Sequence, residues 1–139
     1  MQWIRYLVEA TCLIPFLQFS STSDVFLLVP ISRVCKLHNF VDEESTRYFL
    51  SQNYEKIYTD LISEVLKICP IVKGFIVDVK RKCVGGEVGS IFIELSTIDQ
   101  SEQIIKNLSG KLYDKKEIKI VCVPEESYVK YFLPHFQNN

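Results

Sequence analysis

Hydrophobic and polar positions alternate along Arg33–Val41 (RVCKLHNFV), where Cys35 and Leu37 fall on one side and Lys36 and His38 on the other, the period of a half-buried strand. Further on the period lengthens. Across Tyr54–Ile68 the apolar residues Ile57, Leu61, Val65 and Ile68 recur at helical spacing, with Lys56, Asp60, Glu64 and Lys67 on the other side, Asn53 as a cap and Pro70 just past the end. Gly74–Lys80 (GFIVDVK) and Gly89–Leu95 (GSIFIEL) read as two more strands, joined by a basic, glycine-bearing loop, Arg81–Val88. Thr97, followed three residues later by Gln100, is a capping-box signal for a second helix ending near Leu108, and Gly110 is where such a helix stops. Glu117–Val123, alternating through Ile118, Ile120 and Cys122, predicts the last strand before Pro124, and Glu125–Leu133 a short helix before Pro134.

The order βαββαβ predicts an α+β, ferredoxin-like sandwich: a four-stranded antiparallel sheet, two helices on one face and a short C-terminal helix. The domain is expected over residues 32–133, with 134–139 as a tail and 1–31 as an apolar leader. Met1–Phe19 carries Arg5 near its start and is followed by Ser20, Ser21, Thr22 and Ser23, as a signal peptide would be. Glu9 and Pro15 interrupt it, and its apolar length falls short of the ~20 residues of a membrane span, which favours a docked or amphipathic leader. Asp24–Pro30 reads as an extended lead-in, and Asp42–Ser51 as a polar connection.

With 139 residues, 47% of them hydrophobic, the chain has material for one core. A net charge of −1 lacks the positive surplus with which nucleic-acid-binding domains neutralise phosphates. Five scattered cysteines, Cys12, Cys35, Cys69, Cys83 and Cys122, form no C-x-x-C unit, which argues against a disulfide framework or a zinc site and for buried thiols in a reducing compartment. His38 and His135 lie far from any plausible nucleophile pair, so neither a catalytic residue, a metal nor a cofactor is expected.

Sheets of this topology bind single-stranded RNA by stacking bases on aromatics of the two central strands, with the signature K/R-G-F/Y-G/A-F-V-x-F/Y. Val88–Leu95 keeps the glycine and Phe92 but has Val88 in place of the base and Ser90 in place of the first aromatic; on the partner strand Lys36 replaces the other aromatic. At ~1–3 kcal/mol per stacked base, most of the RNA affinity is forfeited. Phe92, Lys36 and the loop Lys80-Arg81-Lys82 are what remains for a degenerate RNA-binding reading. Elsewhere, Asp60 and Glu64 are like charges four apart, mutually repulsive by ~0.2–0.5 kcal/mol. They are either an ordinary solvated face softened by Lys56 and Lys67, or a carboxylate pair for a basic ligand.

Between Ser32 and Phe132 several blocks point the same way: Leu37-His38-Asn39-Phe40-Val41, Tyr54-Glu55-Lys56-Ile57 with Asp60 and Glu64, Gly89-Ser90-Ile91-Phe92-Ile93-Glu94, Gly110-Lys111-Leu112-Tyr113 and Pro124-Glu125-Glu126-Ser127-Tyr128. In them the chain resembles the U2 auxiliary factor homology motif, a variant of the RNA-recognition motif that binds protein, and most of all the kind that closes the large subunit of that splicing factor. Loss of the stacking aromatics is a habit of the family. The resemblance implies a non-enzymatic, nuclear protein-interaction domain of pre-mRNA splicing that holds a tryptophan of a basic ligand peptide during 3′ splice-site recognition. The implied partners are the branch-point-binding protein or the scaffold subunit of the U2 particle's 3b complex. By the same resemblance Tyr113 takes the place of the family's phenylalanine platform, Lys111 that of its arginine, with Leu112 between them, and Asp60 and Glu64 meet the ligand's basic residues. Tyrosine keeps the ring; lysine lacks arginine's planar fork for bridging to Glu64 and covering an indole. A secreted or membrane-tethered ferredoxin-like domain is a third reading, supported by the leader alone.

Overall fold

The computed structural model describes residues 3–9, 24–40 and 52–137. Two strands, β1 (Trp3–Glu9) and β2 (Asp24–Pro30), pair antiparallel from Trp3 opposite Pro30 to Glu9 opposite Asp24. The extended lead-in is thus one strand of a ladder, and part of the expected leader is its partner. The remainder of the leader with Cys12, the connection Asp42–Ser51 and the side chain of the expected cap Asn53 lie outside the described residues.

There follow β3 (Val34–His38), α1 (Gln52–Leu66), β4 (Lys73–Ile76), β5 (Ile91–Glu94), α2 (Ile98–Leu108), β6 (Leu112–Tyr113), β7 (Lys116–Glu117) and β8 (Lys119–Cys122). Four of these strands form one sheet in the order β4-β5-β3-β8, every neighbouring pair antiparallel. This is the predicted ferredoxin-like arrangement, with the strand order of an RNA-recognition motif.

The two-residue period sorts the side chains. Cys35, Leu37, Ile91, Ile93 and Ile120 face the helices and pack with Leu61 and Val65 of α1 and Ile104 and Leu108 of α2. Val34, Phe92 and Val123 point the other way and pack with Tyr128, Phe132 and Phe136. Both faces are therefore covered. This is why Ile91, Phe92 and Ile93 form an unbroken apolar run in β5, all fully buried, where a one-sided sheet would show alternation. At ~1.5–3 kcal/mol per buried large side chain, the run is a main source of cohesion.

Element ends shift for identifiable reasons. The strand expected to reach Val41 stops at His38 because Asn39 adopts φ +84° and donates its side-chain amide to the Glu117 carbonyl at 2.9 Å. The strand expected to reach Lys80 stops at Ile76, since the Asp78 carboxylate accepts from Arg81 N–H at 2.9 Å and closes a turn. Helix α1 begins at Gln52, which puts Asn53 inside its first turn. Thr97 makes the predicted capping box: its hydroxyl oxygen accepts from Gln100 N–H at 3.2 Å, and Gln100 Oε1 accepts from Thr97 N–H at 3.3 Å.

The C-terminal segment runs as α3 (Glu125–Ser127), a wide π-helical stretch (Tyr128–Phe132) and α4 (Leu133–Gln137). It continues past Pro134, where it was expected to end, because the π stretch opens the ladder just upstream, with Leu133 N–H reaching back five residues to the Tyr128 carbonyl. Proline is tolerated at such an early position of a new helical piece. The residues assigned to a tail thus include the buried Phe136. Arg33 Nε donates to Glu125 Oε1 at 2.9 Å at one end of the segment, and His135 Nε2 lies 2.9 Å from the Arg81 carbonyl at the other. Among the described residues no helix is long and apolar enough to cross a membrane.

Candidate functional site

At the end of α2 the chain must reverse. Gly110 takes φ +85°, which a side chain would resist, and its N–H donates to the Ile118 carbonyl at 2.9 Å, while Ile118 N–H donates to the Lys111 carbonyl at 2.7 Å. Between these bonds β6 and β7 form a hairpin with Leu112 opposite Glu117 and Tyr113 opposite Lys116. Its two turn residues, Asp114 (φ +48°) and Lys115 (φ +68°), both lie in the left-handed region, as a type I′ turn requires. The hairpin, absent from the sequence expectation, is what aims Tyr113 at the first helix.

Tyr113 donates its hydroxyl to Asp60 Oδ2 at 2.8 Å, and its ring meets Phe40 edge-on, with centroids 5.9 Å apart at 83°. Asp60 also accepts from Lys56 Nζ at 3.1 Å. The hydrogen bond from Tyr113, then that from Lys56, hold the Asp60 carboxyl below its usual range. Burial and the bond to Asp60 push the Tyr113 hydroxyl up to about 12, so it stays a donor. Glu64 pairs with Lys67 at 2.9 Å on the exposed side of the helix.

These groups frame a cleft of about 330 Å³ between α1 and the hairpin, walled by Asp60, Leu61, Ser63, Glu64, Leu108, Lys111, Leu112, Tyr113 and Ile118. The five residues singled out for peptide binding, Asp60, Glu64, Lys111, Leu112 and Tyr113, all line it. Lys111 is exposed and among the described residues makes no ion pair; Leu112 is 72% exposed at the rim. The cleft offers apolar walls, one half-buried ring and two carboxylates, Asp60 already softened by Lys56 on the same helix and Glu64 by Lys67 just past its end.

Phe92 and Lys36 lie elsewhere, on the opposite face of the sheet, and both are fully buried. The ring of Phe92 stands 5.0 Å from that of Phe132 and 5.0 Å from that of Phe136, and Phe75 packs on Phe136 at 5.5 Å. Lys36 Nζ is 2.7 Å from Glu87 Oε2 and lies over the Phe92 ring. His38 Nδ1 is 3.6 Å from the same carboxylate. Burial, helped by Lys36, lowers His38 to about 4, so it is neutral at pH 7. In the basic loop Arg81 donates to the Ile76 carbonyl at 3.3 Å, while Lys80 and Lys82 are exposed. Glu87 and the aromatic cover were missed in the sequence, although Tyr128, Phe132 and Phe136, four apart, were a readable signal for a helix lying on something apolar.

No protein-family model and no curated protein matches the chain. Among solved structures it is similar to the RNA-recognition motif of Rna15 (17% identity, 72% of this chain and 99% of that one, TM-score 0.49). It is also similar to the third such motif of Gbp2 (15% identity, 67% and 77%, TM-score 0.46). The first two motifs of Sex-lethal from Drosophila melanogaster compare at 20% identity, 70% and 53% coverage and a TM-score of 0.46. At these identities and scores the likenesses add nothing to what the strand order already establishes.

Proposed function

We propose that this chain is a non-enzymatic protein-interaction domain of the nuclear pre-mRNA splicing machinery, which captures a tryptophan-containing basic segment of a partner in the Tyr113 cleft. The partner class is that of the branch-point-binding protein or the scaffold subunit of the U2 particle's 3b complex. One observation carries the reading: a single cleft of about 330 Å³ gathers Tyr113, Lys111 and Leu112 from the hairpin and Asp60 and Glu64 from α1. Its volume is at the small end for ligand clefts, suited to one large side chain of a peptide. Apolar walls favour an indole, and the carboxylates favour Lys or Arg beside it.

The RNA reading is less favoured, because Phe92 and Lys36 are sealed beneath Phe132 and Phe136 and behind Glu87.

Calorimetric titration of the full chain with a Lys/Arg-rich peptide containing one tryptophan tests the reading. Binding is expected in the micromolar range or tighter, lost in Tyr113→Ala and weakened by added salt. Absence of binding by any such peptide would sink it.

A further inference from the structure

We propose that Cys35 and Cys122 are a dithiol built to close a cross-strand disulfide between β3 and β8, with a small disulfide of the glutathione class as oxidant. The two residues are register partners on adjacent antiparallel strands, both thiols outside any disulfide, with 0% and 1% exposure. Their kind of pairing follows from the ladder. Val123 N–H donates to the Val34 carbonyl at 2.9 Å, so Val34 and Val123 are a hydrogen-bonded pair. Leu95 N–H donating to the Arg33 carbonyl at 2.7 Å shows the odd-numbered residues of this stretch turned toward β5 instead. Cys35 opposite Cys122 is then a non-hydrogen-bonded pair, in which the Cα atoms stand about 4.5 Å apart and the side chains are closest. A disulfide spans Cα separations of about 4.4–6.8 Å, so this pair lies within its reach, and the close approach of the two side chains lets it close with little movement of the strands. Both side chains lie on the helix-facing side of the sheet, beside Ser101.

The thiols are inert while the sheet is closed. A hydrogen bond with Cys122, then burial, raise the ionisation of Cys35 well above its ordinary value. The way in is β8, which among the described residues is an edge strand bonded to β3 alone. When β8 opens, the Cys122 thiolate attacks one sulfur of the small disulfide, whose S–S bond breaks and releases one thiol. Cys35 then attacks the Cys122 sulfur of the mixed disulfide and displaces the second thiol. Two protein thiols are oxidised, one small disulfide is reduced to two thiols, and the two protons given up by Cys35 and Cys122 end on those released thiols. The new bond ties down the strand that links the Tyr113 hairpin to the C-terminal cover.

The test is to hold the 139-residue chain in oxidised or reduced glutathione, with and without urea below the unfolding transition, alkylate it, and map its unreduced peptides by mass spectrometry. The expected result is one bridged species joining the peptides of Cys35 and Cys122, formed faster in dilute urea and raising the urea midpoint. It should be lost in Cys122→Ser and retained in Cys83→Ser. Should Cys122→Ser not fold, the map of the unsubstituted protein decides alone. Cys35 and Cys122 both recovered alkylated, or each joined to glutathione or to another cysteine, would overturn the proposal.

Discussion

Tyr113 and Asp60, 53 positions apart in sequence, are joined by a 2.8 Å hydrogen bond that ties the hairpin to the first helix. One carboxylate thus serves the hydroxyl and Lys56 together, so an incoming cation competes for an acceptor already in use. Tyr113→Phe keeps the ring, removes the donor and returns the Asp60 carboxyl toward its ordinary range. It should tighten binding of the basic tryptophan peptide a few-fold, whereas Tyr113→Ala should abolish it. Equal loss in both variants, measured by calorimetry, would mean that the hydroxyl and not the ring face meets the ligand.

Lys111 stands at the rim, exposed. Replacing it by arginine supplies a planar fork that can reach a carboxylate with two parallel hydrogen bonds and lie flat on an indole. Lys111→Arg should therefore improve peptide affinity by roughly 0.5–1 kcal/mol, the range of an exposed cation–π contact. The urea midpoint should not move, since the hairpin is held by the Lys111 backbone, which the substitution keeps, and the side chain makes no ion pair among the described residues.

The fold was legible because its signals are local and mutually consistent: alternation at Cys35 and Leu37, helical spacing at Leu61 and Val65, and a capping box at Thr97 that the structure reproduces bond for bond. The cleft was less legible. Spacing along α1 places Asp60 and Glu64 near one another, but nothing local says that Tyr113 meets Asp60; that expectation came from the family resemblance. The hairpin escaped notice because Asp114-Lys115 lacks the glycine that usually marks a type I′ turn. The aromatic cover escaped because Pro134 reads as a stop, and only the π stretch upstream lets the helix continue. Lys36 looked like an exposed cation on a polar strand face, since its counter-ion Glu87 comes from a loop 51 residues away.

The buried pair of Lys36 and Glu87 should respond asymmetrically to substitution. Glu87→Gln leaves the fully buried ammonium without its counter-charge and should cost roughly 2–4 kcal/mol, toward the low end for a broken buried pair because Glu87 is partly exposed. Lys36→Met removes charge and desolvation together and should be close to neutral. Urea unfolding of the two variants at pH 7 measures the difference.

Acid sensitivity should follow from His38. Its folded value of about 4, lowered first by burial and then by Lys36, lies below the ordinary value of about 6.5. Between these values the unfolded chain binds a proton that the folded one refuses. Stability is therefore fully present above about pH 6.5, falls as pH drops toward 4, and the loss from this group levels off below that. The total is on the order of 3 kcal/mol. His38→Gln should flatten the slope of urea midpoint against pH across this window, and an unchanged slope would assign the acid sensitivity to other groups.

Phe92 distinguishes a sheet that binds RNA from one that is closed. Were its ring a stacking platform, Phe92→Ala would lower RNA affinity and leave the fold intact. Fully buried and packed 5.0 Å from both Phe132 and Phe136, it is instead a core residue, and the substitution should destabilise the protein by about 3–5 kcal/mol. Phe136→Ala should cost a similar amount, because it opens a cavity against the same rings. The unsubstituted protein should show no saturable change in fluorescence anisotropy with short single-stranded RNAs at micromolar concentration, since a base reaches Phe92 only after the C-terminal segment lifts. Tight RNA binding by the unsubstituted protein would require that segment to leave the sheet readily, and Phe92→Ala would then weaken binding far more than it lowers the urea midpoint.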